Sequence, residues 1–302
     1  MLSHEEVPHL LKRSHVVSGY RPLHQPHHFY LRSAFEPHNE VLNVWTHFLP
    51  AVALVVFYLL PEMMSEAPRP PVLVLHSGIA FLLLCSSFAH LLHSRSPLDH
   101  IFWFLIDFSG IALFGVSIGL QRFSCSDDMG FFMRITYLPL LLLVVLGLQY
   151  FSTCYLFVFK PTWERRLELR MASCFFLACW LYIPLYSRYT GATDDEADTL
   201  RLHSRAFQWL LVSGVFMGAQ VPERFAPGVF DIVGYGHQLF HLCINMVAWN
   251  LVEAAERDCK TVDDGWRAPA NVAIGVSFGL TFVAIVANMV FMMRRAIKNK
   301  YE

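Results

Sequence analysis

Charge is scarce in this 302-residue chain. Only 16% of its residues are Asp, Glu, Lys or Arg, while 55% are hydrophobic and the mean hydropathy is +0.42. Soluble domains carry about a quarter charged residues, so that class is excluded and the chain belongs in a bilayer. Strict alternation of polar and apolar residues is also missing, which excludes a β-barrel. Residues 1–39 contain seven His and several charges but no early apolar core, so no signal peptide is expected and the first span would act as its own insertion signal. The seven cysteines are scattered and form no Cys-x-x-Cys, so a disulfide framework is not expected. Only Cys125 and Cys259 fall in predicted outer loops, where they could pair or remain two free thiols. No Asn-x-Ser/Thr sequon occurs. His-Glu-x-x-His is absent as well, which removes the glutamate base of the metalloprotease kind. Without paired broken spans or repeated halves, a transporter or channel is disfavoured. No nucleic-acid partner is expected.

What is present is a set of apolar runs, each about 20 residues long and suited to a hydrocarbon core of about 30 Å. They cover residues 41–60, 72–92, 100–120, 135–159, 169–186, 207–221, 233–252 and 268–293. The expected fold is therefore an all-α integral membrane bundle of eight transmembrane helices over residues 41–293. A cytosolic and interfacial segment, residues 1–40, would precede it, and a basic cytosolic tail, residues 294–302, would follow. With eight spans both termini share a side, and that side carries 14 of the 23 basic residues. The opposite side carries 13 of the 24 acidic residues, among them Asp194, Asp195, Glu196 and Asp198. By the excess of Lys and Arg, both ends are expected in the cytosol. Leu, Phe and Met stripes are read as bundle packing. Gly115 with Gly119 and Gly275 with Gly279 are small-residue contacts of a kind that more often pack within a chain than make dimers.

The polar residues inside these runs carry the chemistry. His237 and His241 lie four apart, which on a helix puts both imidazoles on one face, a usual geometry for two metal ligands. Two satisfied polar side chains near a helix end would show the same spacing. Ser86 and His90 repeat that spacing near the cytosolic end of the second run, with His93 closer to the loop. Asp107 lies about 10 Å into the third run at 1.5 Å per residue. A lone carboxylate there costs about 2.5 to 3.5 kcal/mol on insertion and needs a partner, which a buried His or backbone group could also supply. His90, Asp107, His237 and His241 thus share a depth in the cytosolic half of the bilayer, on three spans. Nitrogen and oxygen donors without thiolates favour Zn²⁺, and too few carboxylates are present for a di-iron centre. Glu40, Asn43 and His47 follow at i, i+3 and i+7, and their expected role is helix-to-helix hydrogen bonding. The aromatic and basic mixture of residues 19–50 suits a helix at headgroup level.

Ser-x-x-x-His at Ser86 and His90, Asp107 seventeen residues on, His-x-x-x-His at His237 and His241, and Glu-x-x-Asn-x-x-x-His at Glu40, Asn43 and His47 together resemble the progestin and adiponectin-receptor family. The stretches GYRPLHQ, NEVLNVWTHFLP, PERFAPG and GHQLFH are similar to its membrane progestin receptor branch. The resemblance runs from Gly19 to about Val252. It implies that the three His ligate zinc directly, while Asp107 contacts the ion or holds a water bound to it. It also implies a progestin or other lipid ligand, signalling through heterotrimeric G proteins, and a plasma-membrane location, with an endomembrane as the alternative. A steroid is nearly all apolar and suits a pocket within the bundle; Gln121, Gln208, Asn245 and Asn250 are the polar groups that could meet its keto oxygens, or could simply bridge helices. The second functional class is an enzyme, since related receptors resemble ceramidases. A zinc-dependent hydrolase of lipid amides would use Asp107 to take the proton and Ser86 to polarise or orient a carbonyl.

Overall fold

The computed structural model describes residues 1–125, 131–191, 194–260 and 264–298. Two short 3₁₀ turns, His4–Glu6 and His9–Leu11, precede α1 (His27–Ser33). α2 (Val41–Leu54) continues through a π-helical stretch, Val55–Leu59, into α3 (Leu60–Met63). α4 (Pro70–Leu92) and α5 (Pro97–Ser124) flank a 3₁₀ turn at His93–Arg95. α6 (Phe131–Leu142), a π-helical stretch at Leu143–Phe151 and α7 (Ser152–Phe159) form one long rod. α8 (Arg166–Leu181), a turn at Ile183–Leu185, α9 (Tyr186–Gly191), α10 (Asp194–Ala219), α11 (Gly236–Asp258) and α12 (Asp264–Lys298) complete the chain. Among the described residues there is no strand, only an isolated antiparallel bridge between Leu2 and Tyr20.

Six of these helical stretches are long and apolar enough to cross a membrane: Val41–Met63, Pro70–Arg95, Pro97–Ser124, Ile135–Phe159, Arg166–Gly191 and Asn271–Lys298. The expected spans at 207–221 and 233–252 fall in α10 and α11, which are long helices outside that set. In α11 the hydropathy is lowered by His237, Gln238, His241, Asn245 and Asn250 and, in its last turns, by Glu253, Glu256, Arg257 and Asp258.

Local chemistry explains where the helices start. Pro70 and Pro97 each occupy a first helical position, where the missing N–H has no intrahelical partner to lose. Ser96 caps α5 by accepting the Asp99 N–H at 3.1 Å, and Asp99 in that first turn complements the helix dipole. α4 and α5 approach closely because glycine faces the neighbour in two places. A Cβ at Gly78 would lie 2.1 Å from Ser117 Oγ and 2.5 Å from Ser117 Cβ; one at Gly110 would lie 3.0 Å from Leu82 Cα. Gly115 and Gly119 face Leu177 and Leu141 and so pack within the chain, as expected, whereas Gly275 and Gly279 have no neighbour within 4 Å.

α2 and α11 are joined by a different device. Pro50 has no N–H to give the carbonyl four residues back, and in a membrane that carbonyl needs another donor. Asn245 supplies it, donating Nδ2 to Thr46 O at 2.8 Å. At the opposite end of α11, Cys259 is disulfide-bonded to Cys125 at the end of α5, with the Cα atoms 5.4 Å apart. The two possible states of these thiols thus resolve to the pair.

The segment before α1 folds under the bundle. Val17 N and Ser18 Oγ donate to Asp231 at 3.0 and 2.7 Å. Arg21, fully buried, closes the end of α4: Nη1 donates to Leu91 O at 2.6 Å, and Nη2 to His90 O and Ser94 Oγ at 2.7 and 2.6 Å. These carbonyls have no intrahelical donor, and a cation there also suits the dipole. Burial lowers the Arg21 guanidinium to about 10, which leaves it charged at neutral pH. His38 is pushed down to about 3, by burial first and by the Arg21 charge second, so it is neutral and its Nδ1 accepts the Glu40 N–H at 3.0 Å.

Two outcomes follow. Gly78→Ala is expected to destabilise the α4–α5 contact by about 1–3 kcal/mol, as overpacking does; Ser117→Gly in the same chain should restore most of the thermal midpoint measured in detergent. Acid should loosen the amino-terminal cap. Between about 6.5, where an unfolded His takes up a proton, and about 3, where folded His38 does, the unfolded chain binds more protons, so stability falls as pH falls through that window. The thermal midpoint at pH 5 should lie below that at pH 7.5, and His38→Asn, which keeps an acceptor for the Glu40 N–H, should shrink the difference.

Candidate metal centre

α11 can begin where it does because residue 236 is glycine. A Cβ there would lie 2.7 and 2.8 Å from the carbonyls of Phe216 and Val221, while the Gly236 N–H donates to Glu223 Oε2 at 2.7 Å. The first helical turn is thereby pressed against the end of α10, and His237 and His241 enter the interior facing the last turn of α4. His90 meets them there. His90 Nε2 and His237 Nε2 are 3.2 Å apart, and one ligand atom from each of His90, His237 and His241 falls within 4.8 Å of the others. His90 and His241 are buried and His237 is half-buried.

Each ring is turned by a partner on its other nitrogen. His90 Nδ1 stands 2.8 Å from Glu40 Oε2, His241 Nδ1 3.1 Å from Thr46 Oγ1, and His237 Nδ1 3.3 Å from Met217 Sδ. Second contacts of this kind fix tautomer and ring orientation in metal sites. The outward nitrogens are thus engaged and the inward ones converge, so the three residues can hold a metal ion.

Glu40 is the hub of the surrounding network. It receives Arg13 Nε at 2.6 Å on Oε1, and Arg13 Nη2 at 3.1 Å and Asn43 Nδ2 at 2.6 Å on Oε2. Asn43 also donates to Tyr235 Oη, whose own hydrogen goes to Asn39 O at 2.8 Å. Burial alone would push the Glu40 carboxyl up, but the Arg13 charge and then His90 hold it well below the usual carboxylate range. A second grouping, Glu40 with His90 and His93, also falls within 4.8 Å. There the Arg13 guanidinium already provides the cation, so a metal ion would meet a positive charge. His93 Nδ1 instead pairs with His100 Nδ1 at 3.0 Å.

The other expected residues are placed as follows. Asp107 is not in the three-histidine group; it faces the buried Ser86 hydroxyl. His47 lies flat on His241, ring centroids 3.7 Å apart, with both ring nitrogens buried and unbonded to protein. Gln121 donates to Cys259 Sγ at 3.6 Å, far along the bundle, Asn250 donates to Met246 O at 2.7 Å, and Gln208 is exposed. Asn245 lines a cavity of about 570 Å³ between α2, α4 and α11, walled by Leu54, Phe57, Leu83 and Trp249 among others. A smaller pocket of about 140 Å³, with polar and apolar walls, reaches His237 between Arg13, Ser14, Val16, Phe216, Glu223 and Tyr235.

Sequence reasoning placed Glu40 and Asn43 in a helix-bridging cluster and did not name His90 as the partner of Glu40. An acid at the start of a span in register with His90 was the available signal. Arg13, Thr46 and Met217 gave none, because nothing in a loop Arg, a helical Thr or a helical Met separates them from many others.

Residues 35–250 match the haemolysin-III-related family. Membrane progestin receptor beta of Homo sapiens is 30% identical over 265 residues, covering 82% of this chain and 73% of that protein. Membrane progestin receptor alpha of Sus scrofa is 31% identical over 264 residues, with 84% and 74% covered. Membrane progestin receptor alpha-B of Danio rerio is 28% identical over 266 residues, with 84% and 75% covered. With the motifs at His90, His237 and His241 standing inside the matched stretch, the chain belongs to the haemolysin-III-related family, that of the progestin and adiponectin receptors.

Proposed function

We propose that the protein is a membrane receptor for a progestin or a related lipid, with Zn²⁺ held by His90, His237 and His241 and with coupling to heterotrimeric G proteins. The observation that carries the ligand reading is the cavity of about 570 Å³, which begins at Asn245, one helical turn from His241. Its size falls in the range of small-molecule sites, about 300–1,000 Å³, and its walls are almost wholly apolar, as a steroid requires. Relatives named membrane progestin receptors alpha and beta support the ligand class. For the metal, tetrahedral Zn–N bonds of about 2.0–2.1 Å put neighbouring nitrogens about 3.3 Å apart. The His90–His237 separation of 3.2 Å agrees with that.

α10 and α11 are read as the two remaining spans, for eight in all. Three of the polar groups along α11 are turned to partners inside the protein: His241 to Thr46, Asn245 to Thr46 O and Gln238 to Ile232 O. Such groups in a span face the bundle interior. The Cys125–Cys259 disulfide supports an oxidising compartment at that end, hence both termini in the cytosol, with the chain in the plasma membrane or an endomembrane.

A second reading is a zinc-dependent hydrolase of lipid amides, favoured by the small pocket that reaches His237 beside Arg13, Ser14 and Glu223. A bound Zn²⁺ would supply Lewis acidity and a water with a pKa near 7. Asp107 would accept a proton, Ser86 would orient the carbonyl, and the apolar cavity would hold the chain of the lipid.

Metal analysis of the purified protein is expected to find one zinc per chain, and His90→Ala, His237→Ala or His241→Ala should each abolish it; a metal-free unmutated protein ends the zinc reading. On the same preparation, labelled progestin should bind, and Leu83→Trp, which fills the cavity, should weaken binding by about tenfold or more, about 1.4 kcal/mol. Turnover of a ceramide that is lost in Asp107→Asn while progestin binding persists would select the enzyme.

A further inference from the structure

The matched family stretch starts at residue 35, yet a side chain from well before it reaches the centre. Arg13 Nε donates to Glu40 Oε1 at 2.6 Å and Nη2 to Oε2 at 3.1 Å, with Nη2 3.5 Å from His90 Nδ1. Two parallel hydrogen bonds from a planar guanidinium fix the plane of a carboxylate as well as its position. That plane matters here. Oε2 is the oxygen that meets His90 Nδ1 at 2.8 Å, and Asn43 addresses the same oxygen. On Oε1, the contacts are Arg13 and, at 3.7 Å, His93. Rotation about the last bond of a glutamate is soft, so without Arg13 the carboxylate has one anchored oxygen and is free to swing.

Arg13 is itself held in place. Its backbone N–H donates to Tyr20 Oη at 3.0 Å, and the segment is fastened by the Leu2–Tyr20 bridge and by Val17 and Ser18 on Asp231. Val7, Val16, Tyr20 and Tyr235 form a small core beneath it. The guanidinium thus arrives pre-aimed at the carboxylate.

We propose that Arg13 is a positioning residue for the metal centre: by fixing the plane of the Glu40 carboxylate it holds His90 Nδ1, and so keeps His90 Nε2 directed at His237 and His241. The inference rests on the reading of the three histidines as metal ligands. Arg13 touches neither the ion nor the lipid; it acts through Glu40. The amino-terminal segment is therefore a working part of the centre, and lifting it from the bundle loosens the metal.

The test is zinc release from the full-length purified protein to a chromophoric chelator, with the visible absorption of the Co²⁺-substituted protein as a second readout. Arg13→Met should release zinc about 10- to 100-fold faster, the usual effect of losing an outer contact in a metal site, and should shift the Co²⁺ bands. Arg13→Lys keeps the charge without the fork and should fall between. Added guanidinium ion at low millimolar concentration should slow release in Arg13→Met and leave the unmutated protein unchanged, which a general loss of stability would not do. Glu40→Gln should release zinc as fast as Arg13→Met, and the double variant no faster than Glu40→Gln alone, because both act through one contact. If Arg13→Met does not purify as a folded monodisperse protein, Arg13→Lys decides by the same two readouts. Release at the unmutated rate with unchanged Co²⁺ bands in the Arg13 variants overturns the inference and leaves the three-histidine site standing. Absence of metal from the unmutated protein overturns both.

Discussion

The hydrogen bond between Glu40 and His90 is the contact on which the rest of the centre depends. A carboxylate taken out of water costs several kcal/mol unless it is paired and bonded, and Glu40 meets that demand with Arg13, Asn43 and His90 together. Those partners come from three parts of the chain, so satisfying one acid brings together the amino-terminal segment, the first turn of α2 and the last turn of α4. The same contact turns His90 so that its free nitrogen faces α11. Electrostatic need and ligand geometry are thus met by one arrangement.

The helices supply rigidity in two ways. α4 and α5 pack on glycine, with Gly78 against Ser117 and Gly110 against Leu82, where dispersion over a close backbone contact replaces the hydrophobic effect that lipid does not provide. α2 and α11 are instead bridged by polar groups, Thr46 to His241 and Asn245 to Thr46 O. The first pairing fixes how far His90 stands from the axis of the bundle, and the second fixes how α11 is rotated about its own. A site that needs nitrogens placed within a few tenths of an ångström requires both.

Much of this was legible before any coordinates. The apolar runs gave the helical class and six of the long spans, and matching depth gave His90, Asp107, His237 and His241, of which the three histidines converge while Asp107 stands outside their group. The partners of those residues were not legible. Arg13 lies in a loop with no periodicity, and its meaning depends on where the chain folds back. Thr46 and Met217 are ordinary helix residues whose value comes only from the ring opposite. Asn245, for which a keto oxygen and a helix bridge both stood open, makes the bridge, to the carbonyl that Pro50 leaves without a donor. α11 stands outside the six apolar helices because His237, Gln238, His241, Asn245 and Asn250, together with the charged residues of its last turns, lower its hydropathy.

Pro50 and Asn245 are far apart in sequence but form a single unit for selection. A residue with its own N–H at position 50 would satisfy Thr46 O from within α2, and Asn245 would then be an amide in an apolar wall with its hydrogen bond lost. Conversely, an apolar residue at position 245 leaves a bare carbonyl beside the histidines unless the proline is also replaced. Evolution can therefore reshape the wall of the large cavity at this point only by changing the two positions together, and chains that diverge here should do so in step.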